Sequence, residues 1–156
     1  PNTSTFGPFD ALSQCHSTLT PFPSWNGLAG ETKFSYYLHY QTDEIVIRWG
    51  DGVGTHGADI ISVNAKTGRV TLWDTKWRTN PTNIGPSRTF TKTETLENAV
   101  QQARDAIREA EHIPLEIREK ALESLNSGAY SKHTPGVGPG ARSSGIGFQD
   151  YPIETP

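Results

Sequence analysis

The sequence predicts an α/β domain in which a mixed β-sheet is flanked by helices. Two stretches, Glu44 to Trp49 and Gly57 to Arg78, are rich in the β-branched and aromatic residues that favour strands. A third, from Glu94 to Gly128, repeats apolar residues at the spacing of buried helices. At 156 residues the chain is long enough for one domain. We expect an irregular N-terminal arm (1–30), a core (31–128) and a Gly/Pro-rich C-terminal segment that packs on the core (129–156).

The second β-rich stretch predicts a hairpin. The loop from Ala65 to Gly68 joins two strands, and Gly68 is expected in the left-handed conformation that residues with a Cβ resist. Paired positions in an antiparallel ribbon keep a constant sum. We therefore expect the pairs Asn64 with Arg69, Val63 with Val70, Ile61 with Leu72, and Asp59 with Asp74.

Asp59, Asp74 and Lys76 form the candidate site. Because side chains alternate along a strand, all three point to the face that carries the apolar row of the hairpin. Like charges placed opposite each other destabilise a sheet, so the two carboxylates need a cation between them. Mg²⁺ suits the pair, since it is usually held by one or two carboxylates plus waters and phosphate. The alternative is a structural set of solvated charges at the strand ends.

An acid on one strand, followed by Asp74-Thr75-Lys76 on the next, resembles the signature of the PD-(D/E)XK nuclease superfamily. The Gly57-Ala58-Asp59 sequence and the Thr67-Gly68 turn resemble the nuclease toxin domains at the C-termini of bacterial contact-dependent growth inhibition and Rhs-type proteins. The resemblance covers roughly residues 31 to 110.

This resemblance implies a restriction-endonuclease-like core and metal-dependent hydrolysis of phosphodiester bonds in DNA. Asp59 and Asp74 would hold Mg²⁺, with Mn²⁺ and Zn²⁺ as alternatives, and Lys76 would polarise the water or the phosphate. A tRNA-cleaving toxin of the same fold is one alternative. A non-catalytic binding module that keeps the fold is another, from a different functional class.

The resemblance also implies a biological setting. The chain would be the C-terminal piece of a larger secreted or cell-surface bacterial toxin that acts in the cytoplasm of a target cell. Its partners would be the nucleic acid and a cognate immunity protein. The sequence contains no methionine, as expected for a piece of a longer polypeptide, and we expect no membrane segment. Its single cysteine, Cys15, excludes an intramolecular disulfide.

The segment from Leu28 to Tyr40 fits either a helix or a strand. As a helix, it would place Glu31 on the same arc as Phe34, Ser35 and Leu38. A carboxylate on a core-facing stripe is costly unless it is used or paired. By resemblance, Glu31 would complete the metal shell or act as a base; a rim glutamate is the plain alternative.

Several residues are candidates for supporting roles. The chain has a net charge of −3, but residues 66 to 92 carry six cations against one acid. Arg78, Arg88 and Lys92 are therefore expected to contact a phosphate backbone. His56 could serve as a metal ligand or acid/base, and Gln102 could reach the site from its helix; a loop histidine and a surface glutamine are the alternatives.

The remaining elements follow from local signals. Thr91 and Glu94 are expected to form a capping box before an apolar stripe that includes Ala99, Ala103 and Ile107. Pro114 begins a second helix with Leu115, Leu122 and Leu125 as its apolar positions and Gly128 as its end. Trp73 and Trp77 are expected to cover the sheet as core aromatics. Residues 134–147 contain too many glycines and prolines for a regular element, and residues 146–151 are expected to return as an edge strand or a cover.

Overall fold

The computed structural model describes residues 26–49, 57–77, 87–138 and 147–148. In chain order the elements are α1 (Asn26–Gln41), β1 (Glu44–Trp49), β2 (Ile60–Asn64), β3 (Val70–Trp73), β4 (Lys76–Trp77), α2 (Arg88–Thr91), α3 (Thr93–Glu109), α4 (Leu115–Ser127), β5 (Ser131–His133), β6 (Gly136–Gly138) and β7 (Gly147–Phe148). The prediction of an α/β domain with a mixed sheet and helices is confirmed.

The main sheet has four strands in the order β1-β2-β3-β5. The first three strands are antiparallel, and β5 joins β3 in parallel after the chain has passed through the helices. A second sheet of three short strands has the order β4-β6-β7. The mixture of parallel and antiparallel pairs arises because a helical crossover allows a strand to return in the same direction.

The predicted hairpin register is confirmed from the turn as far as the pair Ile60–Trp73. Val63 lies opposite Val70 and Ile61 opposite Leu72, and the amide of Asn64 donates to the carbonyl of Arg69 over 2.9 Å. Gly68 has a φ of +73°, and a Cβ at this position would lie 2.5 Å from Cβ of Lys120 on α4. The turn therefore requires glycine twice, for its backbone conformation and for its contact with the helix.

Helices pack on both faces of the main sheet. One face contributes Val46, Ile60 and Trp73 to a core cluster with Phe34 and Leu38 of α1. The other face buries Ile61, Val63, Val70 and Leu72 against the small and aliphatic side chains of α3 and α4. This alternation between faces fixes the direction in which the residues at the strand ends point.

The first helix settles the ambiguity between Leu28 and Tyr40, because this segment is helical and begins at Asn26. Phe34, Ser35 and Leu38 are buried as the helical arc predicts. The helix reaches into the predicted arm (1–30), of which residues 1–25 lie outside the described residues. Trp73 is fully buried, and its ring packs edge-on against Phe34 at a centroid distance of 5.3 Å. The side chain of Trp77 is outside the described part of the chain.

The predicted capping box is wrong. Thr91 ends the short helix α2, and Lys92 is the residue that precedes α3, with no side-chain capping bond. Ala99, Val100, Ala103 and Ile107 form the buried face of α3. The second helix runs from Leu115 to Ser127 between Pro114 and Gly128, as predicted. Leu125 is buried as predicted, and Leu122 packs on the core. However, Leu115 is 62% exposed, and Ala121 is the other buried residue of this helix.

The Gly/Pro-rich C-terminal segment is more regular than its composition predicts. Gly136–Gly138 is a strand, so the expectation of no regular element there is wrong. Gly136–Gly138 has a low intrinsic preference for strands, and its pairing with β4 and β7 stabilises the extended conformation. The predicted edge strand near the end of the chain is present as Gly147–Phe148.

Candidate functional site

Asp59 and Asp74 meet at the open end of the β2–β3 hairpin. The amide of Asp59 donates to the carbonyl of Trp73 over 2.9 Å, although Trp73 is already paired with Ile60. The predicted ladder pair of Asp59 with Asp74 is therefore wrong, because the strand pairing becomes irregular at this end of the hairpin. The two carboxyl groups lie close enough for the charge of each to act on the other. The structure thus brings one acid from each arm of the hairpin to the same end of the ribbon.

Lys76 completes the group predicted from the sequence. Its Nζ lies 2.8 Å from Oδ1 of Asp74. The side chain of Asp74 is 4% exposed, whereas that of Lys76 is 34% exposed. The carboxylate therefore lies inside the protein, while the ammonium group beside it reaches solvent.

Thr75, between the two motif residues, holds the other carboxylate. Its amide donates to Oδ2 of Asp59 over 2.8 Å, and its hydroxyl donates to the same oxygen over 3.2 Å. Sequence reasoning treated this position as unspecified. Thr75 therefore fixes the side chain of Asp59. It links the acid of the first strand to the Asp74-Thr75-Lys76 segment of the second.

The two aspartates have opposite pKa shifts. Burial, together with the negative charge of Asp74, raises the pKa of Asp59 from 3.8 to about 7. Burial would also raise the pKa of Asp74, but hydrogen bonds from Lys76, Ser87 and Asp59 outweigh it and hold that pKa below 3.8. At neutral pH Asp74 is therefore charged, whereas Asp59 gains or loses its proton close to neutral pH.

The backbone of the motif is held from the C-terminal side of the chain. The amide of Asp74 donates to the carbonyl of His133 over 3.0 Å, and the amide of Lys76 donates to that of Pro135 over 2.9 Å. The backbone edge of residues 74–76 is therefore already hydrogen-bonded to another segment of the chain. Nothing in the local sequence of residues 74–76 predicts this contact, because it comes from strand β5 and the residues after it.

Ser87 is a functional residue that the sequence analysis missed. Its hydroxyl donates a hydrogen bond to Oδ2 of Asp74 and accepts one from the amide of Thr89 over 3.1 Å. Ser87 is 5% exposed. A serine before a short helix could have been recognised as an N-cap, but its contact with Asp74 depends on tertiary structure.

Two of the predicted phosphate-contacting cations lie beside this serine. Arg88 and Lys92 are both exposed and lie at the two ends of α2. Arg88 directly follows the residue that contacts Asp74. The third predicted cation, Arg78, and the accessory candidate His56 lie outside the described residues.

Gln102 lies against the chain just before Asp59. A Cβ added to Gly57, which has a φ of +154°, would lie 2.1 Å from Oε1 of Gln102. The glutamine is half-buried on α3. The structure thus brings Gln102 to the segment that leads into the site, at a point where only glycine leaves room for it.

Glu31 is half-buried in α1, the helix that packs on Trp73. In the described part of the chain, no group of three or more His, Cys, Asp or Glu side chains is arranged to hold one metal ion. The structure thus does not join Glu31 to the two aspartates in such a group, and its role as a ligand or base stays a prediction.

The donor set fits a hard divalent cation that keeps most of its waters. Asp59 and Asp74 are two neighbouring carboxyl groups, and the pKa of Asp59 is close to 7, so a cation could take the place of its proton. Among the described residues the set contains oxygen donors without thiolate or imidazole, which favours Mg²⁺ or Mn²⁺ over Zn²⁺.

A further buried acid, Glu44, lies on the sheet face that α1 covers. Its oxygens accept from the hydroxyl of Ser62 over 2.8 Å and from the amide group of Asn64 over 2.9 Å. Ser62 in turn accepts from the indole N–H of Trp73 over 2.8 Å. Burial raises the pKa of Glu44. The hydrogen bonds of Glu44 are therefore made within the sheet, and the network fixes the indole ring of Trp73, the residue before Asp74.

None of the helices in the described ranges is both long and apolar enough to cross a membrane. Comparison of the chain with family models, with curated proteins and with solved structures found no match.

Proposed function

We propose that this chain is a metal-dependent phosphodiesterase, a nuclease toxin domain that cleaves DNA. The observation that carries the proposal is the convergence of Asp59, Asp74 and Lys76 at the end of one hairpin. The order of the elements around it supports a restriction-endonuclease-like core. A helix precedes three antiparallel strands, and helices then lead to a fourth strand that is parallel to the third.

Each residue has a role that follows from its contacts. Asp59 and Asp74 are the residues that would hold the metal, because their carboxyl groups already lie next to each other. A bound divalent ion would supply Lewis-acid activation of water and neutralise charge on the phosphate. Lys76 holds a partly solvated ammonium group beside Asp74, where it can orient the phosphate and stabilise the charge that develops on it.

Thr75 and Ser87 keep the two carboxylates in place. Thr75 donates two hydrogen bonds to Asp59, and Ser87 donates one to Asp74. Residues that orient a metal ligand in this way commonly matter almost as much as the ligand itself. Arg88 and Lys92, exposed at the edge of the site, are suited to hold the substrate backbone.

The substrate and the biological partners belong to the same proposal. DNA is the first candidate and tRNA the alternative of the same chemistry. A cognate immunity protein is the expected partner, and the expected parent is a larger bacterial toxin whose C-terminal piece acts in the cytoplasm of a target cell.

A non-catalytic binding module is the second candidate. It is favoured by the fact that Asp74 already has Lys76 and Ser87 as hydrogen-bond partners, so the carboxylate is stable without a metal. In that case the exposed cations would serve binding alone.

Incubation with plasmid DNA and with total tRNA, in Mg²⁺ and in EDTA, tests these alternatives. We expect cleavage in Mg²⁺ only, and loss of cleavage in Asp74→Ala. The matched control is Asp43→Ala, which removes an exposed acid whose partner is Lys66 at 3.2 Å. Nucleic acid that stays intact under every condition, but is retained by the wild-type chain, would favour the binding module.

A further inference from the structure

Ser87 connects two parts of the candidate site that are 13 positions apart in the chain. Its hydroxyl group contacts Asp74, and its backbone and hydroxyl group begin the short helix α2. The amides of Phe90 and Thr91 donate to the carbonyl of Ser87 over 3.2 and 3.1 Å. One residue thus touches the buried carboxylate and starts the turn that carries the exposed cations.

The helix α2 is held mainly by hydrogen bonds at its two ends. None of its own residues is buried, although Phe90 packs partly on the core. At its far end, the hydroxyl of Thr95 donates to the carbonyl of Thr89 over 2.8 Å and lies 3.1 Å from that of Lys92. Its near end depends on Ser87. Because this short helix has little buried surface, its position depends mainly on the hydrogen bonds at its two ends.

We propose that Ser87 is a positioning residue that couples the cationic turn Arg88–Lys92 to the carboxylate of Asp74. The inference rests on the proposed function, because it assigns the coupling to a metal ligand and a phosphate-contacting turn. When Asp74 binds a cation, the carboxylate is fixed, and the hydroxyl of Ser87 carries that constraint to the amide of Thr89. Metal binding then orders the segment that holds the substrate.

Mn²⁺ binding and amide hydrogen exchange test this coupling without any measurement of cleavage. In the wild type, saturating Mn²⁺ is expected to slow exchange at Thr89, Phe90 and Thr91. In Ser87→Ala we expect the Mn²⁺ dissociation constant, measured by titration calorimetry, to rise by about 10- to 100-fold. At Mn²⁺ concentrations that saturate this variant, the exchange rates of the three amides should no longer respond to the metal. Ser87→Thr keeps the hydroxyl and should restore both properties.

Ser124→Ala is the matched control. The hydroxyl of Ser124 accepts a hydrogen bond from the amide of Val70 over 3.3 Å and belongs to a different part of the core. Its removal should lower the melting temperature without changing Mn²⁺ affinity or the exchange response of α2.

The outcomes separate the inference from the function on which it rests. If the wild type binds Mn²⁺ and Ser87→Ala binds it equally, with the same protection of α2, Ser87 is only a helix cap and the inference is wrong. If the wild type neither binds Mn²⁺ nor cleaves nucleic acid, the proposed function itself fails and the inference fails with it.

Discussion

The carboxyl groups of Asp59 and Asp74 lie side by side at the open end of the β2–β3 hairpin, close enough for the charge of Asp74 to act on Asp59. Burial and the neighbouring charge raise the pKa of Asp59 to about 7. Above this pH the proton leaves and two like charges face each other in a partly dry site. The repulsion between the two carboxylates therefore destabilises the folded protein, and a bound cation would remove this repulsion.

Replacement of Asp59 by asparagine should stabilise the protein and abolish activity. The amide group can donate to Asp74 and its oxygen can still accept from Thr75, so the contacts survive without the repulsion. The pKa of Asp59 is higher in the folded state, about 7, than in the unfolded chain, 3.8. The folded wild type thus holds more protons between these values and loses stability as pH rises through them.

The gain in Asp59→Asn should grow from about pH 4 and level off above pH 7. At pH 8 we expect an increase of about 2–4 kcal/mol in the free energy of unfolding, from urea titrations. Asp43→Asn, at an exposed acid, is the control and should show no such gain. A variant that is less stable than the wild type at pH 8 would contradict the raised pKa of Asp59.

Metal-dependent stabilisation should increase with pH. A cation competes with the proton on Asp59, so its apparent affinity should rise about tenfold per pH unit below 7 and become constant above it. The measurement is the shift in melting temperature caused by MgCl₂ between pH 5.5 and 8.5, which reports binding to the folded state. Asp74→Asn should show no shift at any pH; an equal shift in this variant would place the metal elsewhere.

Lys76→Ala should lower cleavage at least about 100-fold while the protein stays folded. The ammonium group is 34% exposed and water can take its place, but Asp74, at 4% exposed, loses a charged partner, so the free energy of unfolding should fall by about 1–3 kcal/mol. Lys66→Ala, which removes an exposed ion pair with Asp43, controls for loss of a lysine. A much larger fall in the melting temperature, together with retained cleavage, would identify Lys76 as a structural residue.

Gly57→Ala should destabilise the protein by about 1–3 kcal/mol, because the new Cβ would overlap the side chain of Gln102. In a Gln102→Ala background the loss should be smaller by at least about 0.5 kcal/mol, measured as a double-mutant cycle. Gly128→Ala is the matched control, since its φ is +77° but no atom of the described residues lies within 4 Å of the added Cβ. Equal losses with and without Gln102 would assign the effect to the backbone of Gly57 alone.

The hairpin and its charged end were predictable because their determinants are local. A four-residue loop that ends in Gly68 fixes the register, and the register then fixes which residues face each other. Asp59 and Asp74 follow from this by alternation along the strands. The helices were predictable for the same reason, since apolar spacing, Pro114 and Gly128 are all local signals.

The parts that could not be predicted depend on contacts between distant segments. Strand β5 forms by pairing with β3, and Gly136–Gly138 forms a strand by pairing with β4. Both partners lie far away in the sequence. Ser87 contacts Asp74 only because the chain returns to the sheet after a long connection. The capping box at Thr91 and Glu94 was wrong because a second, shorter helix ends where the longer one begins. Local composition does not reveal which of two overlapping caps is used.

The bonds from Asp74 to His133 and from Lys76 to Pro135 have a consequence for the order of assembly. The segment Asp74–Lys76 is completed by residues about 60 positions later in the chain, and such distant closures come late in folding because of their entropic cost. If the proposed function holds, a nascent or partly unfolded chain would therefore be inactive until its last strands dock. Ending the chain before residue 131 should leave the hairpin without this support and remove the proposed activity.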